Sequence, residues 1–518
     1  MLRFFIYILC LFLTACMVGP NYREPIKPVV KHWKKNNRSV KEAPFKEAKW
    51  WEVFHDPILT ALIYQGYHNN LTLQSAGVRV LQTRAQLAQT VGQLYPQQQA
   101  MTGNYTYNRI GGTSLQGILP QTFDTAALGF VANWEIDFWG KYRRAILSND
   151  ASFLASVAAY DNALVTLNAD VARTYIKIRT TETLIKITKE NIQVQTIGLK
   201  IAKSRYNAGQ TSLVDVEQAS TELSQTQATL PGYIANLQTQ KDLLSVLLGE
   251  VPNAVDKFLY KKSRGIPRAP KEITVGIPKE ALAKRPDIHE ARLQAIAQSE
   301  AIGATKANLF PSLSLAGTFT FASNNIGSSS ISDMFNWSNR NVSAGPVLNW
   351  PLLNYGQITN AVRTQDAVFQ QALLNYLNLV LKAQQEVQDN ITDFIEAKNA
   401  EFYLTRANRS AMQSLKLAII RYREGETDFT PVLNAEQQQL QVQTSLVNAQ
   451  GDVPQALVAL YRSLGGGWQI RKGNDIVPMP LKAEMAARTN WGNLLKPENH
   501  LPPTSKGKLI KDLYLPKW

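Results

Sequence analysis

Cysteine is nearly missing from this chain: among 518 residues only Cys10 and Cys16 carry a thiol, both within the first sixteen positions. The remainder can hold neither a disulfide framework nor a thiolate metal site. Histidine is as sparse, and the five, at 32, 55, 68, 289 and 500, include no pair at metal-ligand spacing. Neither a metal nor a bound cofactor is expected. Charge is also thin, at 18% of residues, so the polar surface must rest largely on Gln, Asn, Ser and Thr. The balance is basic, +15, yet no stretch interleaves Lys or Arg with aromatics, and many cations sit in 23–49 and 471–518. That pattern argues against a nucleic-acid partner. Gly465-Gly466-Gly467 lacks a following Lys-Ser/Thr and reads as a helix stop before Trp468 rather than a phosphate loop. Carboxylates such as Asp389 and Asp393 sit at helical spacing with no sign of a cleft, so no enzyme is expected.

What is present begins with an export signal. Arg3 supplies a positive start, and Phe4 to Leu13 is an apolar core too short to span a bilayer. Leu13-Thr14-Ala15-Cys16 then reads as a lipobox: residues 1–15 are removed and Cys16 becomes the lipid-modified first residue. Residue 17 is Met rather than an inner-membrane-retaining Asp, which points to the outer membrane. Residues 16–56 form an irregular, lipidated lead.

Beyond Asp56-Pro57 a helical period runs to Leu94 and stops at Tyr95-Pro96. The period then changes to two. Tyr105 and Tyr107 alternate with Asn and Thr, and Leu128, Phe130, Trp134, Ile136 and Phe138 alternate with Gly129, Asn133, Glu135 and Asp137. Strands over about 100–109 and 126–138 have the length and aromatic ends of transmembrane β-strands. From Gly140 to Tyr206 helical spacing returns, with Val157, Leu164, Val171, Ile178, Ile185, Ile192 and Leu199 in one seven-residue column. Its companion (Tyr160, Leu167, Thr174, Thr181, Thr188) is mostly small or polar, suiting a helix in a wall with one side wet. Arg205-Tyr206-Asn-Ala-Gly209-Gln-Thr211 is a tight turn: Gly suits a left-handed C-cap and the residues after it an N-cap. A return helix comes next, from Ser212 to Leu248.

The whole pattern then repeats. Tyr206, Gly209 and Thr211 recur as Tyr422, Gly425 and Thr427, each 216 positions later, and Trp134 recurs as Trp350 at the same shift. A helix over 281–309 precedes strands over about 312–322 (with Phe319 and Phe321) and 341–350. The chain thus divides into repeat 1 (57–250), a linker (251–277), repeat 2 (278–464) and a tail (465–518). Four strands cannot close a barrel and lipid does not tolerate open edges, so copies of the chain must share one. The long helices are too polar to cross a bilayer and must extend away from it.

With these motifs assembled, the chain resembles the outer-membrane efflux factor (TolC-like) family, closest to its lipidated branch. The resemblance rests on CMVGPNYREP (16–25), WWEVFHDPILTALI (50–63), NWEIDFWGKYRRA (133–145), RPDIHEARLQAIAQSEAIGATKANLFPSLSL (285–315), ALVALYRSLGGGW (456–468) and both tips. It implies a mixed α and transmembrane β fold: a homotrimer with a twelve-stranded barrel on a periplasmic α-helical tunnel, and a mixed equatorial collar near 251–280 and 465–518. It implies an exit duct in the outer membrane of a Gram-negative bacterium, serving an inner-membrane transporter through a periplasmic adaptor docked on the tips. Tyr206, Gly209, Thr211, Tyr422, Gly425 and Thr427 would form that docking surface. The family often has Asp at the position of Asn434, so an acidic ring there does not carry over; Asp215 does match a common Asp. Glu424, Glu426, Asp428 and Phe429 are further candidates for the constriction. Tyr105, Tyr107, Trp134, Phe138, Phe319, Phe321 and Trp350 would mark the membrane interfaces. The rival expectation is a lipid-anchored periplasmic coiled-coil adaptor or scaffold without a barrel. No cargo is named by the sequence. Replacing Gly425 with Asp is expected to disrupt the tip and lower efflux while trimers still form, as native electrophoresis and drug-resistance assays would register.

Overall fold

The computed structural model describes residues 17–33, 40–43, 48–111, 120–259 and 265–500. Cys16 and the leader before it lie outside the described residues, as do 501–518 of the tail. The lead contains a 3-10 turn, Trp50–Phe54, and strand β1 (Val40–Glu42). Helices α1 (Pro57–Asn69) and α2 (Leu71–Gly92) come next, then β2 (Gln98–Arg109) and β3 (Thr122–Ile136). The long helix α3 (Lys141–Asn207) turns into α4 (Leu213–Leu247). Strand β4 (Ile273–Val275) leads to α5 (Pro278–Lys284), α6 (Pro286–Lys306), β5 (Ser312–Asn324) and β6 (Arg340–Asn349). A second long pair, α7 (Gln357–Arg423) and α8 (Thr430–Ser463), precedes α9 (Met479–Arg488).

Two expected helices are broken. At residue 70 the backbone turns extended, and Asn70 caps α2 by accepting from Leu73 N at 2.8 Å. Its Nδ2 donates to Leu247 O at 2.9 Å, so the break also ties α2 to the end of α4. At 285 the same happens for a different reason: Pro286 crowds the α region of the residue before it, and Arg285 adopts φ −69°, ψ 123°. Asp56 caps α1 as expected, accepting from Ile58 N and Leu59 N, and its second oxygen accepts from Tyr175 Oη at 2.7 Å.

The lead is not irregular throughout. β1 pairs in parallel with β4, Val40 opposite Ile273. Nearer the start, Val18 N donates to Trp139 O at 3.0 Å, and the buried Arg144 guanidinium donates to Val18 O, Gly19 O, Asn21 and Glu300. The segment is therefore strapped along the molecule from the β3–α3 junction to β4.

Helices α3 and α7 are each 67 residues long, on the order of 100 Å at 1.5 Å per residue. Val157, Leu164, Val171 and Ile178 are buried in the main core with Trp50, Trp51 and Tyr461. The companion column is buried too, not wet: Tyr160, Leu167, Thr174, Thr181 and Thr188 are all less than 9% exposed. Small side chains there let neighbours approach closely. Gly451 of α8 lies against Thr180, where an added Cβ would stand 2.4 Å from Oγ1.

The four long strands make one antiparallel sheet in the order β2-β3-β5-β6, joining the two hairpins. Its register aligns apolar rows across all four strands. Met101 faces Phe130, Phe319 and Val342; Trp134 faces Leu315 and Pro346; Ile136 faces Leu313 and Leu348. The alternate rows are polar or small, such as Thr102–Gly129–Thr320–Asn341 and Gln98–Asn133–Ala316–Gly345. Among the described residues the outer edges of β2 and β6 have no partner strand. Among them, too, no helix is long and apolar enough to cross a membrane.

Gly451→Val is expected to prise α8 from α3 and to cost about 1–3 kcal/mol by overpacking, measured as a lowered denaturation midpoint of the helical region.

Candidate functional site: the paired helical tips

Both turns form as the Tyr-x-x-Gly spacing requires. Gly209 and Gly425 have φ +70° and +84°, the left-handed region that favours glycine. In the first tip Gly209 N donates to Tyr206 O and Gln210 N to Arg205 O, both 2.9 Å; in the second Gly425 N donates to Tyr422 O at 3.1 Å and Glu426 N to Arg421 O at 3.0 Å. These are Schellman-type closures that satisfy the last carbonyls of α3 and α7.

The two tips pack on each other, and this makes identical residues unlike. Tyr422 is buried at 2% exposure, whereas Tyr206 stays 42% exposed. Tyr422 packs edge-on against Phe429, centroids 5.3 Å apart, within a small core that includes Ala202, Val216, Leu415 and Val432. Its Oη donates to Asp215 Oδ2 at 3.3 Å, and Asp215 also accepts from Thr211 Oγ1. Arg205 closes the arrangement from α3: its guanidinium lies 4.5 Å from the Tyr422 ring centroid and donates to Tyr422 O and to Gln210 O. Burial, then the nearby Asp215 carboxylate, push the Tyr422 phenol above its usual range. The result is a clasp between the first hairpin (Arg205, Thr211, Asp215) and the second (Tyr422, Phe429).

Two expectations for the constriction change accordingly. Phe429, 1% exposed, and Asp215, 6% exposed, are packed inside the tip and line no passage in this conformation. Tyr422 likewise presents no side chain for docking. Glu424, Glu426, Asp428 and Asn434 are exposed, and Thr427 is half-buried. Glu424 pairs with Arg423 at 3.1 Å and Glu426 with Arg421 at 3.2 Å, both on the surface, and Asp428 accepts from Thr430 N. Arg205 was not among the expected site residues. Its signal was available: both tips begin Arg-Tyr, although Arg421 makes the surface pair instead.

At the other end of the helices, Trp134 Nε1 donates to Leu94 O and Trp350 Nε1 to Leu309 O, each at 3.2 Å. Trp134 in β3 and Trp350 just after β6 thus tie each hairpin to the end of the helix before it, and both are partly exposed. Tyr105 and Tyr107 are exposed on β2, and Phe319 and Phe321 touch edge-on on β5. Phe138 falls beyond β3, against Trp139, and is not a strand residue. Among the described residues no cluster of His, Cys, Asp and Glu could hold a metal ion.

The sequence profile described as "Outer membrane efflux protein" matches residues 62–250 and 277–466. The chain belongs to that family. Outer-membrane efflux proteins with similar sequences include the solvent efflux pump outer membrane protein SrpC of Pseudomonas putida, 29% identical over 89% of this chain and 97% of that one. The probable outer membrane lipoprotein SilC of Salmonella typhimurium is 25% identical over 88% of this chain and 96% of that one. Among solved structures, the outer-membrane channel OprN superposes with a TM-score of 0.80 at 28% identity, over 88% of this chain and all of the other. This outer-membrane efflux protein therefore has the family's fold of membrane β-strands on a long helical body, and its four strands are one chain's share of a barrel.

Removing one bond of the clasp should cost about 1–3 kcal/mol, since the acceptor is a carboxylate. Tyr422→Phe and Asp215→Asn should each loosen the tips, and their double mutant should lose less than the sum of the two, as measured by hydrogen exchange at the amides of 200–216 and 418–432.

Proposed function

We propose that three copies of this chain form the passive exit duct of a tripartite efflux system, with a twelve-stranded barrel in the outer membrane and a helical tunnel beneath it. The observation that supports this most is the four-stranded sheet, apolar on one face, polar on the other, and, among the described residues, unpaired at both β2 and β6. Lipid offers no water to those edge groups, so the sheet must close with copies of itself. Three fourfold contributions give twelve strands and a polar-lined lumen. The exposed apolar side chains of α7, including Leu374, Leu381, Phe402 and Tyr403, are consistent with helix contacts between copies.

Cys16 bears the lipid in this reading. The residue after it, Met17, packs against Gly140 at the β3–α3 junction, which this reading sets at the membrane border. The tips, through the exposed Tyr206, Gly209, Gly425 and the half-buried Thr211 and Thr427, face a periplasmic adaptor that links the duct to an inner-membrane transporter. Glu424, Glu426, Asp428 and Asn434 are the remaining candidates for the narrowest ring, and separation of the Arg205–Tyr422–Asp215 clasp is the opening step. No chemistry is required of the duct; a water-filled path and a movable constriction suffice. SrpC is named for solvents, and small molecules, either drugs or metal ions, are the cargo class assigned to this chain. The working boundaries are 57–250 and 278–464 for the repeats, with 251–277 and 465–518 forming a collar.

Carbonate washing of membranes decides between this reading and an anchored periplasmic scaffold. The protein is expected to stay in the pellet until detergent is added and then to run as a trimer. Release into the carbonate supernatant would overturn the duct.

A further inference from the structure

Inward of the clasp, the two hairpins meet a second time through acids. Glu222 on α4 and Glu436 on α8 are 5% and 3% exposed. Among the described residues neither forms an ion pair. Glu222 is partly satisfied: Oε2 accepts from Gln437 Nε2 at 2.8 Å and Oε1 from Gln195 Nε2 at 3.5 Å. Glu436 Oε1 is buried with no hydrogen-bond partner, and so is Gln195 Oε1 on α3. Gly198, three residues along α3, leaves room for the acid, since an added Cβ would stand 3.4 Å from that Oε1. Each orphan is an acceptor. Only a donor can satisfy them, and a protonated Glu436 supplies one.

We propose that Glu436 is buried in its protonated form, and that this proton latches α8 to α3 and α4, making separation of the hairpins pH-dependent. The part of the proposal that concerns opening rests on the duct reading above. α3 contributes Gln195 and Gly198, with Lys200 and Lys203 at its surface; α4 contributes Glu222, with Glu217 exposed. α7 buries Ala411 and Leu415 over this stretch, and its Arg409 and Lys416 are exposed. α8 contributes Gln437 and Gln439 beside Glu436. Asp215 lies nearer the tip and is engaged with Thr211 and Tyr422.

Burial, and then the charge of Glu222, push Glu436 up to about 7. The folded state thus keeps a proton that the unfolded chain has already released. The latch is fully made below the ordinary carboxyl range and is lost as pH rises toward about 7. One retained proton shifts the equilibrium about tenfold per pH unit across that window. Above it, the Glu436 carboxylate is charged in a buried site where its Oε1 has no hydrogen-bond partner, which favours parting.

The test uses the purified full-length protein. Its carboxylic-acid infrared band, followed from about pH 4 to about pH 9, should lose a component near pH 7 that Glu436→Gln lacks and that Glu222→Gln moves to lower pH. In planar bilayers, wild-type open probability should rise several-fold between about pH 6 and about pH 8.5, with a flat, low profile for Glu436→Gln, whose neutral amide keeps the shape of the protonated acid. An infrared component confined to the ordinary carboxyl range would overturn the retained proton. A conducting wild type whose pH profile Glu436→Gln leaves unchanged would overturn the latch alone. A wild type that conducts at no pH would sink the duct reading and the gating role with it.

Discussion

A backbone in hydrocarbon has no water to bond, and the rest of this molecule is arranged around that constraint. Four strands alternating polar and apolar can shield one face and wet the other, but they leave two rows of edge N–H and C=O groups exposed at β2 and β6. The chain cannot answer this by itself. Closure by identical copies is the remedy, and it has consequences far from the membrane. In the proposed duct the symmetry that joins the edges would also set the long helices side by side, with the exposed apolar side chains of α7 between copies.

The helical body meets a different demand. A 67-residue helix must be held along its length, and the way it is held changes from one end to the other. The near half of α3 is buried nearly all round, with Trp50, Trp51 and Tyr461 packed in the same core. Toward the tip the packing changes character: the apolar core shrinks to a small cluster around Tyr422 and Phe429, and polar contacts take over its role. Arg205, Asp215 and Tyr422 form a bonded network that is costly to leave half-made, while the proposed latch at Glu436 depends on a proton. Such contacts are specific when made and are weakened by solvation or charge, which suits the opening end of the proposed duct better than a fully apolar seam would.

Much of this was legible in the chain. The period-two runs locate the strands within a few residues because alternation is a local pattern, and each tip is written in its Tyr-x-x-Gly. Other features were legible but misjudged. Pro286 signals a break that a strong helical period on both sides concealed, and Asn70 is a competent cap whose use depends on Leu247 being near. The pairing of β1 with β4 was not legible at all, since it joins segments more than 200 residues apart through a three-residue strand.

The sequence alone determined the duplicated plan, the strands and the turns, because each is set by short-range periodicity or by the conformational needs of single residues. Tertiary structure decided what the copied residues do. Tyr206 and Tyr422 occupy equivalent positions, yet one is at the surface and the other is the centre of the clasp. The difference arises because two similar hairpins packed against each other cannot present the same face to both sides. For the same reason Asp215 and Phe429, plausible pore residues by position, turn inward, and Arg205, one of two matched arginines, becomes the bridge between the repeats.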